Sequence, residues 1–263
     1  MRTYKVNAIV LRRANVGETD KILTLFSRER GKLPAIAKGA RKPISRIAGA
    51  AELLTFGKFA MAVGRNLDVV TQVDVRDSFP DIRRDMRKIA HATYLLELAD
   101  QLTEEHEANP DLFDLLLSAL YVLQNGGNAE VLSRGFEIKA MDILGYRPQL
   151  DGCVRCGTPS IGAGQIINFS PSAGGVICAA CGPVPGDAIS ITRAVRNAMK
   201  RFLETEPPDW KGLRFAKGIG AQLSNAMKWY IRYRTERELR SEQFIRVIQT
   251  GAKDEELPSG KDI

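Results

Sequence analysis

The stretch Tyr4-Lys5-Val6-Asn7-Ala8-Ile9-Val10 decides the fold, because its residues Tyr4, Val6, Ala8 and Val10 place an apolar group at every second position. A strand sends alternate side chains to opposite faces, so period two means one buried face and one covered differently. The same reading gives further strands at Lys21–Phe26, Leu33–Ala37, Leu53–Val63 and Leu67–Val73. Glu29-Arg30-Gly31-Lys32 and Gly64-Arg65-Asn66 supply turn residues between them. Five short strands in so small a segment predict a closed barrel of the OB type; an SH3-like barrel fits the spacing as well.

After Phe79-Pro80-Asp81 the period changes to that of amphipathic helices. Met86, Ile89, Ala92, Leu95, Leu96, Ala99 and Leu102 make one stripe. A second helix starts at Asn109-Pro110, carries Leu112, Leu115, Leu116, Ala119, Leu120 and Leu123, and ends at Asn125-Gly126-Gly127. A third runs from about Ala129 to Leu144 and stops at Gly145-Tyr146-Arg147-Pro148. Residues 150–186 are rich in Gly, Pro and Cys, with little periodicity, as in a loop-dominated insert held by something other than a core. Helices resume with Thr192 as a cap to about Leu203. Another is expected from about Leu213 to Leu239, with Ala216, Ile219, Leu223, Met227 and Tyr230 facing inward. The expected architecture is α+β and multi-domain. It has a basic barrel at 1–80, a helical domain in two parts at 81–148 and 187–250 that pack as one bundle, a cysteine-bearing insert at 149–186, and a disordered tail at 251–263.

All four cysteines fall in that insert, as Cys153-x-x-Cys156 and, 21 residues later, Cys178-x-x-Cys181, with Gly157 and Gly182 after each pair. A Cys-x-x-Cys turn lets two thiolates converge on one cation while backbone N–H groups point at the sulfurs, and two such turns complete a tetrahedral set. A redox CxxC opens a helix in a βαβ context, which is absent here, and symmetric pairs favour zinc over an iron–sulfur cluster. Four protein ligands leave no open coordination position, so one structural Zn²⁺ is expected.

The chain of 263 residues carries a formal net charge of +7, with 44% apolar, 7% aromatic and 26% charged residues. That composition belongs to an ordinary globular protein. The charge is lopsided: residues 1–80 hold 15 Lys and Arg against 7 Asp and Glu, whereas the other 183 residues hold 23 against 24. A positive field confined to the barrel attracts polyanions. Its densest part, Arg28 to Arg46, contains Arg28, Arg30, Lys32, Lys38, Arg41, Lys42 and Arg46 against the single acid Glu29. Gly39 and Pro43 beside the cations predict a loop whose backbone can approach phosphates, with Ser45 as a hydroxyl donor.

These residues resemble the RecO family of bacterial DNA repair proteins. The resemblance rests on Gly17-Glu18-Thr19-Asp20 leading into Ile22-Leu23-Thr24-Leu25-Phe26, then Gly31, then Ala37-Lys38-Gly39-Ala40-Arg41 with Ser45-Arg46. It continues with Gly145-Tyr146-x-Pro148 before the first cysteine pair, and with Phe169 and Gly174-Gly175-x-x-Cys178 at the second, covering about residues 1–245 in order. It implies an OB fold, a helical domain and a zinc finger acting in recombinational repair through the RecFOR pathway. The implied partners are single- and double-stranded DNA, RecR and the single-stranded DNA-binding protein. Strand annealing and help in loading RecA are the implied activities, in the cytoplasm at the nucleoid. By position, Lys38, Arg41, Lys42 and Arg46 are the implied DNA contacts, with Arg12, Lys32 and Arg65 beside them. Tyr4, Phe26, Phe56 and Phe59 offer ring faces for stacking, although at strand spacing such residues belong more often to a core.

The sequence points away from an enzyme. His91 and His106 belong to no recognisable triad or metal motif, there is no GxxxxGK[ST] loop for a nucleotide, and Gly218-Ile219-Gly220 lies in a helical pattern rather than after a strand. No secretory signal or membrane segment is expected, since the apolar run Ala8–Leu11 falls far short of the roughly 20 residues of a span. An RNA-binding transcription or translation accessory factor with a basic OB fold and structural zinc is the alternative reading. A zinc nuclease would need an acidic cluster or an open metal site.

Overall fold

The structure, a computed structural model, describes residues 2–159, 166–236 and 239–250; the tail expected to be disordered lies outside them. Strands β1 (Thr3–Val16), β2 (Asp20–Ser27), β3 (Gly31–Ala37), β4 (Phe56–Ala62) and β5 (Asp68–Asp77) close into a barrel in the order β1-β2-β3-β5-β4. Every pairing is antiparallel except β3 with β5, where Ala35 faces Asp68 and Ile36 faces Val69. This five-stranded closure is the OB-type arrangement. Val6, Ala8 and Val10 of the opening stretch point into the core with Leu23, Leu25, Leu33, Ala35, Phe59 and Met61. A bulge between Val10 and Arg12 then releases the end of β1 toward solvent, so Arg12 and Arg13 are exposed.

Helices α1 (Pro80–Arg83), α2 (Met86–Leu102) and α3 (Pro110–Gln124) follow the barrel. The Asp85 carboxylate caps α2 by accepting from the N–H groups of Arg87 and Lys88. Phe113 of α3 packs edge-on to Phe26 of the barrel at 5.6 Å between ring centroids. Helices α4 (Ala129–Ile143), α5 (Arg193–Glu204), α6 (Ile219–Thr235) and α7 (Ser241–Thr250) complete the helical part. Thr192 caps α5 as its sequence position predicts, its hydroxyl accepting from the Val195 N–H at 3.3 Å.

Three features depart from the sequence reading. The helix expected from Leu213 starts at Ile219, because Gly218 adopts φ +81°, a left-handed conformation that a continuous helix cannot contain, and Ala216 is exposed rather than inward. Helix α7 was not expected. Its N-terminus is capped from another element: the Glu97 carboxylate on α2 accepts from the N–H groups of Arg240 at 2.9 Å and Ser241 at 2.8 Å and from the Ser241 hydroxyl. The insert also contains regular structure, strands β6 (Ile166–Ser170) and β7 (Gly175–Ile177), which form a sheet of order β7-β6-β8 with β8 (Ile189–Thr192) just beyond it.

The described residues group into two compact units, one holding the barrel with α1, α2, α3 and α7, the other holding α4 to α6 with the cysteine-bearing sheet. In the second unit the fully buried Trp210 lies edge-on to Phe202 at 5.3 Å. Gly135 on α4 makes room for it, since a Cβ there would stand 2.6 Å from the indole ring. No helix of the described residues is long and apolar enough to cross a membrane.

In the first unit, Asp100 on α2 joins helix to barrel. Its carboxylate lies 3.2 Å from Lys32 Nζ and 2.9 Å from Arg12 Nε, and Lys32 also donates to the Asp100 carbonyl at 2.7 Å. Lys32 and Asp100 are both buried. Asp100→Ala, which strands Lys32 without its counter-charge, is expected to cost about 3–5 kcal/mol in urea unfolding. Adding Lys32→Met should recover most of it, because an apolar pair of similar volume carries no desolvation penalty.

Candidate functional site

The seven cations between Arg28 and Arg46 divide into two groups. Arg28 forks onto the Asp114 carboxylate, with Nε and Nη2 each 2.9 Å from an oxygen, and the resulting hydrogen bond and charge hold the guanidinium pKa above its ordinary value. Arg30 sits 4.2 Å over the Tyr4 ring and Lys32 is buried on Asp100. Arg28 and Lys32 stitch the barrel to its helices, and Arg30 packs within the barrel. Lys38, Arg41, Lys42 and Arg46 are all exposed on the connection between β3 and β4, and among the described residues no ion pair involves them. Ser45, half-buried, lies between them.

This connection is clamped where it leaves the barrel. Asp20 Oδ1 accepts from the Gly39 N–H at 2.7 Å and the Thr19 hydroxyl at 2.9 Å. The Arg41 N–H donates to the Thr19 carbonyl at 2.8 Å and Arg41 Nη1 to the Gly17 carbonyl at 3.0 Å. Ala40 is buried in the barrel core between the exposed Lys38 and Arg41. The Gly39 N–H, the Thr19 hydroxyl and the nearby charges of Lys38 and Lys42 hold Asp20 below the usual aspartate range. The Gly17-Glu18-Thr19-Asp20 and Ala37-Lys38-Gly39-Ala40-Arg41 motifs are therefore two halves of one contact, at the turn between the first two strands that OB folds use for ligands.

The remaining sequence-derived contacts differ from this group. Arg65 is exposed on the turn joining β4 and β5. Arg12 is exposed but paired with Asp100, and Lys32 is withdrawn from solvent altogether. The structure corrects the placement of Lys32 as a DNA contact: a buried ammonium held by a carboxylate and a carbonyl has no surface to offer a phosphate. The four aromatics are engaged within the fold. Phe26 and Phe59 are in the core, Phe56 packs against Phe113, and the Tyr4 ring is covered by Arg30 while its hydroxyl donates to Asp68.

The four cysteines converge. Their sulfurs lie within 4.8 Å of one another, with Cys153 Sγ 3.7 Å from Cys181 Sγ and Cys156 Sγ 3.7 Å from Cys178 Sγ. All four are free thiols, far outside the ~2.05 Å of a disulfide. A tetrahedral ion with metal–sulfur bonds of about 2.3 Å has sulfurs about 3.8 Å apart, so the set fits such an ion. Gly157 and Gly182, at φ +72° and +73°, turn the chain back after each pair. Arg155 donates to the carbonyls of Cys181 and Pro183 at 2.7 and 2.9 Å, and the Val154 N–H donates to the Val176 carbonyl on β7. Burial pushes the Cys153 thiol up, but N–H groups of Cys178, Cys156 and Arg155 outweigh it and bring the thiol down to about 6. Hydrogen bonding with Cys156 and Cys178 drives Cys181 up to about 12. The lowered Cys153 thiol and the raised Cys181 thiol belong to one set of converging sulfurs whose charge a cation would neutralise together.

Comparison with known proteins bears on the whole chain. The family descriptions Recombination protein O N terminal and Recombination protein O C terminal match residues 1–79 and 83–243. A DNA repair protein RecO of Symbiobacterium thermophilum is 35% identical over 95% of this chain and 99% of its own length. One of Pelotomaculum thermopropionicum is 38% identical over 93% of this chain and 94% of its own. The chain belongs to the RecO family. Its RecO-like motifs in the second unit also meet in space: the Phe169 and Tyr230 rings are 5.5 Å apart, and the Tyr230 hydroxyl donates to the Tyr146 carbonyl at 2.9 Å. Gly175 is needed because a Cβ there would lie 2.2 Å from the Gln149 carbonyl.

The residue that sequence reasoning passed over is Asp20, quoted as part of a motif but given no role; the Asp among turn residues ahead of a strand was the available signal. Because its pKa is lowered in the fold, its hold on the loop is fully present above the ordinary value of 3.8 and is lost as pH falls through the lower folded value. The Gly39 amide resonance should accordingly titrate below pH 3.8. In Asp20→Ala that titration should vanish and Gly39 hydrogen exchange should accelerate at neutral pH.

Proposed function

We propose that this chain is a non-enzymatic DNA-binding protein of recombinational repair that binds single- and double-stranded DNA and anneals complementary strands. With RecR it helps load RecA onto strands coated by the single-stranded DNA-binding protein, in the cytoplasm at the nucleoid. The observation that carries this reading is the clamped β3–β4 connection, where Lys38, Arg41, Lys42 and Arg46 face solvent in a RecO-family barrel. Annealing needs no covalent step. Cations screen the repulsion between two phosphate backbones while the bases stay available for pairing. In this reading residues 1–80 contact DNA through those four cations, with Arg65 and Arg12 at the margin. Residues 149–186 hold one structural Zn²⁺ on Cys153, Cys156, Cys178 and Cys181, and residues 81–148 and 187–250 provide the helical scaffold for the protein partners.

Charge reversal at Arg41, Lys42 and Arg46 together is expected to weaken oligonucleotide binding. It should also flatten the plot of log affinity against log salt by about 2, since each lost single-strand phosphate contact removes roughly 0.7 from the slope. An unchanged slope would locate the interface elsewhere, and a preference for RNA over single-stranded DNA would replace the repair reading with that of an RNA-binding factor. For the metal, elemental analysis should give about one zinc per chain, lost in Cys153→Ser with Cys156→Ser. Zinc binding contributes of order 10 kcal/mol to folding in isolated modules, so chelation should loosen β6 and β7 in hydrogen exchange. A metal-free chain with unaltered exchange there would refute the site.

A further inference from the structure

Helix α6 carries Lys228, Arg232 and Arg234 and no acidic residue along its length. Trp229 and Tyr233, one turn apart, are 46% and 49% exposed, and Tyr146 is 43% exposed. Guanidinium groups lie among these rings. Arg232 is 5.7 Å from the Trp229 ring, and Arg234 is 5.5 Å from each of the rings of Tyr146, Tyr230 and Tyr233. The set is anchored from below, because Tyr230 is fully buried and its hydroxyl fixes the Tyr146 carbonyl. Nothing in helix formation requires three large rings at the surface, and exposed apolar area of this kind marks a contact site.

We propose that this face of the second unit binds single-stranded nucleic acid, a site separate from the basic connection of the barrel. The inference rests on the reading of the chain as a DNA-binding protein. Bases of a single strand present their faces to rings, while the phosphates between them meet cations. A duplex keeps its base faces stacked on one another and offers none. Here rings alternate with guanidinium groups rather than closing around an apolar pocket, an arrangement suited to tracking a strand and not to seating a protein hot spot. A chain that pairs two strands gains from a second place to hold one.

The two tryptophans make the test selective, since Trp210 is fully buried and Trp229 is half exposed. Oligothymidylate is titrated while tryptophan emission is followed, and binding is read separately by anisotropy of a labelled strand. The expected result is quenching that Trp229→Phe abolishes without abolishing binding. Trp229→Ala with Tyr233→Ala, both at exposed positions, should weaken single-strand affinity by at least about tenfold at unchanged circular dichroism. Saturated binding with unaltered emission, and full affinity in the double variant, would overturn the site and leave the barrel reading intact. Absence of binding in both readouts would overturn both. Equal quenching by duplex would remove the single-strand assignment, and quenching by an acidic peptide but not by oligothymidylate would make the face a protein-docking surface instead.

Discussion

The buried carboxylate of Asp100 is the constraint on which the first unit depends. It takes Lys32 out of solvent, draws Arg12 back along the end of β1, and ties α2 to the barrel. A carboxylate in that position is tolerable only because cations surround it, and Lys32 is tolerable there only because of the carboxylate. The consequence is a sorting of positive charge. Within the charged run, Arg28, Arg30 and Lys32 are matched to Asp114, Tyr4 and Asp100, whereas the four cations that follow β3 are exposed with no ion pair among the described residues. A count of basic residues along the chain overstates the binding surface; the partners decide which of them belong to it.

The barrel was legible because one physical rule governs it. With the core on one side of each strand, inward residues recur at period two, and Val6, Ala8 and Val10 do so without interruption. The helices from Met86 to Ile143 were equally plain, since caps at Asp85 and Asn128 and breaks at Gly126 and Gly145 coincide with the ends of apolar stripes. The misses share a different cause. Strands β6 to β8 are too short for a period to declare itself, and β7 is only Gly175–Ile177. Helix α7 draws its cap from Glu97, far away in sequence, so no local pattern announces its start. Where the stabilising partner is distant, single-sequence reading has nothing to count.

The candidate site divides along the same line. Four thiols in two Cys-x-x-Cys turns are read locally, because each turn by itself points two sulfurs the same way, and only the meeting of the turns needs the fold. The basic connection was legible as composition. Its clamp was not, since Asp20 reaches Gly39 across a strand and a turn. Lys32 shows the opposite failure. It stands in the same charged run as Lys38, yet the segment after α2 folds over it, with the His106 N–H donating to the Lys32 carbonyl at 2.9 Å.

Exposed cations without counter-charges disfavour the compact state through mutual repulsion, and a sequence under selection for stability alone would place acids among them. From Ala37 to Ala51 there is no Asp or Glu, whereas the cations of Arg12, Arg13, Lys21 and Arg28 each have a carboxylate at ion-pair distance. The fold thus neutralises these four cations and places no acid along the clamped connection. The clamp itself uses Asp20 and directs its carboxylate at the Gly39 N–H and the Thr19 hydroxyl rather than at a cation's head. An acid so committed orders the loop without forming an ion pair with its side chains, leaving Lys38, Arg41, Lys42 and Arg46 exposed without a counter-charge among the described residues.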